Sequence, residues 1–371
     1  MEDQHLTTSL AAAASAPANV ALIKYWGKKN FQEGANPSLS LTLNEMRAFA
    51  QIRKSPAPPA APEGLQLDLK INQQTSGPDL ERVRQWWQRL AAQEAFFAQG
   101  HFTVESCLNF PAKTGLASSA AGFAALAAAA WAVQAKSLGK PVPAQAADLP
   151  PSAQQTISRW ARWGSGSAAR SILGPAMLWG TTQGWANSSD DYAIVAPAAA
   201  YWASWHDGVV ITDPHPKKIS SRQGHALMQK HWAAAARYAQ ARQNLANLLS
   251  AAHQGQDPVV LKIIAQEAWT LIALMMTSDP PYTLINPTTL AVMNAVQIWQ
   301  AEAKLPVTFT IDAGANLHIL CRENVWPQVA AHMQQDLKSW DVTMRSDQVG
   351  PGAQLFSDPA ALQELAASLG R

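Results

Sequence analysis

The stretch FPAKTGLASSAAGFAALAAAAW, residues 110 to 131, constrains this chain more than any other. A strand-like run, HFTVESCLNF (101 to 110), ends at Phe110 and Pro111. A turn of small residues follows around Gly115, and Ser118 and Ser119 then open a long alanine-rich helix. A helix that begins there presents unsatisfied N–H groups and a partial positive charge, so the turn is a natural seat for a phosphate. Gly115 and Ala117 let the backbone approach closely. The plainer reading, in which Ser118 only caps the helix, is as open on local pattern alone. The turn is not a P-loop, because no Gly-Lys-Ser/Thr closes it. The apolar run 120 to 135 is shorter than the roughly 20 residues a membrane span needs.

At 371 residues the chain exceeds one small core, which suggests two domains or one two-lobed unit. Hydrophobic residues make up 48%, enough for a sizeable core. Charged residues make up 15% and the net charge is +2. That excludes the basic excess of a nucleic-acid binder but leaves room for a local anion site. Cys107 and Cys321 lie far apart and form neither a disulfide framework nor a zinc site. A reducing cytosol is the simplest compartment, and a cytoplasmic protein with no membrane or nucleic-acid partner is expected. Residues 1 to 16 carry Glu2 and Asp3 where a signal peptide carries positive charge. Asn187-Ser188-Ser189 spells a glycosylation sequon, which has meaning only on secretion.

No repeat of 20 to 50 residues is visible. Residues 55 to 64 and 139 to 155 read as proline-rich loops. Residues 80 to 100 have helical spacing and a terminal glycine, Gly100. Composition changes near residue 200. Beyond it, 221 to 255 and 257 to 278 read as helices, another begins near Pro287, and PVTFTIDAGANLHILCR (306 to 322) is two strands broken by DAGAN. The order is mixed, which makes the fold α+β rather than a doubly wound sheet. The division falls into an N-terminal lobe, 1 to 200, and a C-terminal lobe, 201 to 371.

Other segments carry possible chemistry. In WGSGSAARSILGP (163 to 175), Ser165, Gly166 and Ser167 form a donor-rich turn with Arg170 one turn later; the alternative is an inter-helix turn with a surface arginine. Asp312, where a strand gives way to Ala-Gly-Ala-Asn, suits a general base or a metal ligand, or merely starts a turn. Ser220, Ser221 and Arg222 precede a helix and fit either a cap or an anion contact. The histidines lack metal-ligand spacing, and the fifteen tryptophans are expected mostly in the core. Lys24, Lys28 and Lys29 surround Tyr25, Trp26 and Gly27 between two strand-like runs. Several anion-binding turns, one placed acid and a lysine-rich loop together suit phosphoryl transfer.

NVALIKYWGK (19 to 28), NPSLSLTL (36 to 43), GLASSAAGFAAL (115 to 126), GSGSAARS (164 to 171), SSRQG (220 to 224), DAGAN (312 to 316) and VGPG (349 to 352) occur in an order that resembles the mevalonate diphosphate decarboxylases of the GHMP kinase superfamily. The resemblance runs from about residue 17 to 355. It implies a GHMP-kinase-like fold of two α+β lobes with the active site in the inter-lobe cleft, the first lobe binding nucleotide. It also implies ATP with Mg2+ as cofactors and decarboxylation of mevalonate 5-diphosphate to isopentenyl diphosphate. By motif, Asp312 is the catalytic carboxylate, Lys24 accompanies it and Arg170 holds the substrate carboxylate. Tyr25, Lys28, Ser221 and Arg222 face the diphosphate. Gly115, Leu116, Ala117, Ser118, Ser119 and Ala120 cradle the ATP phosphates. Ser165, Gly166 and Ser167 line the phosphate path. No metal ligand is assigned beyond Ser119, since Mg2+ would arrive on ATP. Lys29 is expected to be solvated, and a homodimer is expected by analogy alone.

The chain departs from the family pattern in three places. PAKTGLASS puts Lys113 where a Thr-Ala-Ala run is usual, DAGAN lacks a proline, and Ile272 stands where histidine is frequent. Two rivals share the scaffold: a decarboxylase of mevalonate 5-phosphate, and a kinase that stops at the 3-phosphate. A non-catalytic nucleotide binder on the same fold is a third reading, but it should have lost Asp312 or the glycine-serine turn.

Overall fold

The computed structural model describes residues 10–55, 64–112, 114–215 and 218–358. Lys113 and most of the proline-rich loop at 55 to 64 lie outside the described residues.

The first half of the chain gives β1 (Leu10–Ile23), β2 (Ser38–Ser55), β3 (Leu65–Ile71), α1 (Pro78–Gln93), β4 (Gly100–Leu108), α2 (Ser118–Ser137), α3 (Pro151–Gly164), β5 (Ala176–Trp179), β6 (Ala193–Val195) and α4 (Ala199–Ala203). The second gives β7 (Trp205–Ile211), α5 (Ser221–Met228), α6 (Ala234–His253), α7 (Asp257–Met276), α8 (Pro287–Ala301), β8 (Val307–Ile311), β9 (Leu317–Arg322), α9 (Trp326–Leu337), β10 (Thr343–Gln348) and β11 (Gln354–Phe356).

Among the described residues these strands form two sheets. The larger runs β11-β1-β2-β4-β3, with β5 on β2 and β6 on β5; the smaller runs β10-β7-β9-β8. All pairs are antiparallel except β3 with β4. The last strand, β11, returns to the larger sheet beside β1.

β1 is rich in alanine, a helix former, yet it is a strand and nearly all of it is buried. Pairing on both edges, with β2 and β11, outweighs that weak propensity. The register shifts between Pro17 and Asn19, where proline has no N–H to give the ladder. α2 packs on β1 and β2, and its alanines from Ala120 to Ala132 are fully buried. Short side chains let the helix lie close to the sheet, which brings its first turn to the sheet's end. A second core fills the smaller sheet with α8 and α9.

Two helical spans are shorter than their spacing predicts. The run 80 to 100 leaves the helix after Gln93, makes one 3-10 turn at Ala95–Phe97, and begins β4 at Gly100. The run 221 to 255 splits into α5 and α6; between them the His231 ring accepts the Ala233 N–H at 3.1 Å, a local bond that competes with the helical one. α2 and α7, each 20 residues, are long and apolar enough to cross a membrane by length and composition, which corrects the shorter span read from sequence. Their apolar windows are 72% and 56% buried inside the protein. Trp86, Trp87, Trp160, Trp179, Trp202 and Trp205 are core residues, as expected, whereas Trp232 is 81% exposed.

Candidate active site

Five segments converge on one cavity: the loop after β1, the turn before α2, the 3-10 turn Gly166–Ser171, the first turn of α5, and the turn between β8 and β9. They enclose a cavity of about 550 Å3.

At its wall, Lys24 Nζ lies 2.6 Å from Asp312 Oδ1 and 2.5 Å from the Ala21 carbonyl oxygen. The lysine side chain is buried; 26% of the aspartate side chain is exposed. Lys24 leaves β1 and Asp312 leaves β8, so each is aimed by the end of a strand. Burial opposes charge on Asp312, but the Lys24 ammonium, with His318 and Arg170 beyond it, outweighs burial and holds the carboxyl below the usual aspartate range. Burial pushes Lys24 down from the usual lysine range, and Asp312 pulls the other way.

Arg170 is 2% exposed, so the surface-arginine alternative is excluded. Its Nε donates to Ser40 Oγ at 3.0 Å and its Nη2 to Asn19 Oδ1 at 3.4 Å. Nη1 is buried with no partner among the described residues. A guanidinium nitrogen left this way on a cavity wall is a vacant anion donor. The guanidinium stands over the Tyr25 ring at 5.5 Å, and that ring stacks on His225 at 4.6 Å.

Three hydroxyls run along the wall: Ser119 Oγ to Ser165 Oγ at 3.3 Å, and Ser165 Oγ to Ser167 Oγ at 3.2 Å. Beside them begins α2. Its N-cap, Ala117, is left-handed (φ 52°) and gives it no side-chain cap, so Ser118 is the first helical residue rather than the cap. By contrast Ser220 caps α5 through a reciprocal box with Gln223, which leaves Ser221 and Arg222 in the first turn facing the cavity.

Lys28, Arg82 and Arg222 gather at one end of the cavity. Burial and then the two arginines push the Lys28 ammonium down to about 8. Arg82, on α1, is likewise lowered, by burial and then by Arg222. An anion bound here relieves that mutual repulsion, so this end suits a polyphosphate. Another part of the wall is apolar, with Ile71, Val83, Leu108, Phe123 and Leu126. Lys29 points away, half exposed, and pairs with Asp190 at 3.2 Å.

Of the residues expected from sequence, Lys24, Tyr25, Lys28, Gly115, Ala117, Ser118, Ser119, Ser165, Ser167, Arg170, Ser221, Arg222 and Asp312 line the cavity. Leu116 and Ala120 do not: both are buried in the main core, and the Ala120 N–H is taken by the Ala117 carbonyl at 2.9 Å. Gly166 is also off the wall; a Cβ there would meet the Trp179 ring at 3.0 Å and the Tyr25 hydroxyl at 3.1 Å, so its smallness serves packing. Sequence reading missed Asn19, Gln32, Arg82 and His225 on the wall. Arg82 sits in a helix whose tryptophans drew attention to its buried face, and nothing local marks it as functional. His225 follows the SSRQG motif by one residue, which is the one signal that pointed to it.

No group of three His, Cys, Asp or Glu side chains among the described residues could hold a metal ion. The oxygen donors beside the α2 turn are serine hydroxyls. That set fits Mg2+ carried by phosphates, since Mg2+ keeps mainly phosphate and water oxygens.

Residues 16–193 match the diphosphomevalonate decarboxylase-like N-terminal domain, and residues 209–366 match the mevalonate 5-diphosphate decarboxylase C-terminal domain. The chain is 29% identical to the diphosphomevalonate decarboxylase of Aspergillus fumigatus over 321 residues, 82% of this chain and 75% of that one. Among solved structures it resembles mevalonate diphosphate decarboxylase from Staphylococcus aureus, with TM-score 0.79 and 26% identity over 95% of this chain and 99% of that one. It also resembles MDDEF in complex with MVAPP, AMPPCP and magnesium, with TM-score 0.77 and 26% identity over 94% and 99%.

Proposed function

This chain belongs to the diphosphomevalonate decarboxylase family, and we propose how its own residues divide that family's reaction among them. The enzyme uses ATP and Mg2+ to convert mevalonate 5-diphosphate to isopentenyl diphosphate, ADP, phosphate and CO2. The observation that carries the residue assignment is the 2.6 Å Lys24–Asp312 pair on a cavity wall that also holds the unpartnered guanidinium nitrogen of Arg170.

Asp312 orients the tertiary 3-hydroxyl and accepts its proton as the oxygen attacks the terminal phosphate of ATP. Lys24 keeps the carboxyl ionised before the attack. The departing 3-phosphate takes that proton, so the carboxylate, again anionic, faces the positive charge that develops at C3. Arg170 grips the substrate carboxylate, aligning the C–C bond whose electron pair becomes the new double bond as CO2 departs. Lys28, Arg82, Arg222, Tyr25 and Ser221 hold the diphosphate, with Arg82 an addition to the set read from sequence. The turn Gly115–Ser119 and the start of α2 hold the ATP phosphates, and the apolar wall receives the base. Bound Mg2+ would neutralise phosphate charge beside Ser119.

We assign residues 1–200 and 201–371 as the two lobes, a division supported by the two sheets, with β11 returning to the first. A cytoplasmic location is supported by the two free cysteines.

Incubation with ATP and each of mevalonate, its 5-phosphate and its 5-diphosphate, with ADP and CO2 both measured, tests the assignment. Coupled ADP and CO2 with the diphosphate is expected. CO2 from the monophosphate alone, or ADP without CO2, would overturn it.

A further inference from the structure

Behind the cavity lies an ion pair that does not itself line the wall but holds the backbone of one wall residue, Lys24. Arg237 on α6 and Glu267 on α7 are fully buried, at 1% and 0% side-chain exposure. They meet fork to fork: Arg237 Nη2 to Glu267 Oε2 at 2.5 Å, and Nη1 to Oε1 at 2.8 Å. Each also holds the main chain of one residue. Glu267 Oε2 accepts the Lys24 N–H at 2.9 Å, and Arg237 Nη2 donates to the Lys24 carbonyl oxygen at 2.8 Å. Asn244 Nδ2 donates to Glu267 Oε1 at 2.7 Å, which brings that carboxylate to four accepted bonds. Asn36 Nδ2 adds a second donor to the Lys24 carbonyl, at 3.1 Å.

A buried ion pair is weak evidence for stability, because well-packed apolar residues of similar volume often do as well. Its value here is geometric. β1 ends at Ile23, so Lys24 has lost the ladder bonds that fix the strand before it. A charged fork on two helices supplies both of its main-chain bonds instead. With N–H and C=O fixed, the Cα–Cβ bond is aimed, and the buried side chain runs to Asp312, its ammonium also held by the Ala21 carbonyl.

We propose that Arg237 and Glu267 are positioning residues for the reaction: they clamp the Lys24 backbone so that its ammonium stays on Asp312. This rests on the reading of Lys24 and Asp312 given above. Neither clamp residue lines the cavity, so the clamp acts on turnover and leaves ligand affinity alone.

The test compares three variants of the full chain. Arg237→Met/Glu267→Met removes both charges together and leaves neither buried alone. Glu267→Asp keeps the charge opposite Arg237 but draws the carboxylate back by one methylene. Lys24→Met removes the residue being positioned. The clamp predicts that kcat falls by about 10- to 100-fold in the double variant, the scale of an ångström-sized misplacement. KM for ATP and for mevalonate 5-diphosphate should stay near wild type, and Glu267→Asp should retain an intermediate kcat. If the double variant does not fold, Glu267→Asp decides alone. A folded variant with lowered Tm but wild-type kcat would overturn the clamp and leave the pair purely structural. Wild-type turnover in Lys24→Met would instead overturn the reading on which it rests.

Discussion

Gly115 and Gly314 meet backbone to backbone. A Cβ built on Gly115 would lie 2.8 Å from Gly314 Cα, and one on Gly314 would lie 2.7 Å from Gly115 Cα. The first belongs to the turn before α2, the second to the turn that carries Asp312. Asn316 Nδ2 donates to the Thr114 carbonyl oxygen at 2.8 Å across the same seam. The turn we assign to the nucleotide phosphates and the turn that carries Asp312, which we assign as the catalytic acid, are thus set against each other without an intervening side chain.

Gly314→Ala must separate the two turns, because its methyl would also lie 2.6 Å from the Thr114 carbonyl oxygen. Overpacking of this kind costs about 1–3 kcal/mol of stability. A displacement of Asp312 relative to the phosphate should lower kcat by about 10- to 100-fold. Steady-state kinetics beside a thermal melt checks it; wild-type kcat would show that the seam does not position the acid.

Burial, and then the Arg222 and Arg82 cations, push the Lys28 ammonium down to about 8. On the proposed assignment its cationic form binds the diphosphate, and that form is lost as pH rises through this value. The kcat/KM for mevalonate 5-diphosphate should therefore fall above pH 8. Lys28→Arg, which stays protonated, should remove that alkaline limb. A profile unchanged by the substitution would remove Lys28 from the diphosphate site.

Arg222 stands exposed at the mouth of the cavity, unlike Arg170. Arg222→Ala should raise KM for the diphosphate substrate by about tenfold, roughly 1.4 kcal/mol, with little change in kcat. An exposed cation contributes less than a buried one, whose loss costs about 2–5 kcal/mol. An unchanged KM would sink its assignment.

Ser118 and Ser119 occupy the first turn of α2 on the cavity side. Replacing both with Leu should abolish ATP binding by calorimetry while the circular dichroism spectrum stays native. Normal ATP affinity would show that this turn is not the phosphate seat.

Much of this was legible in the sequence because motif residues at strand ends announce themselves. Asp312 follows β8, Lys24 follows β1, and Ser118 follows a turn of small residues. The legible features are local. Arg82 and the Arg237–Glu267 pair reach the site only through tertiary packing, so no pattern near them in sequence marks their role; Asn19 opens the NVALIKYWGK motif, but its place beside Arg170 is a tertiary contact. Gly166 and Ala120 failed in the opposite sense: they sit inside motifs, yet one is small for packing and the other gives its N–H to the helix. The end of β1 before Lys24 reads as strand-like, whereas its alanine-rich start is obscured because alanine favours helices; pairing with β2 and β11 makes it extended.

Asp312→Asn keeps the shape of the side chain and removes its charge. The decisive measurement is single turnover of this variant with ATP and mevalonate 5-diphosphate, following ADP and CO2 together. The assignment of Asp312 as the base predicts that both fall by at least the ~10²-fold that loss of an acid–base group brings, with ATP and substrate affinities near wild type. CO2 release at the wild-type rate would contradict it.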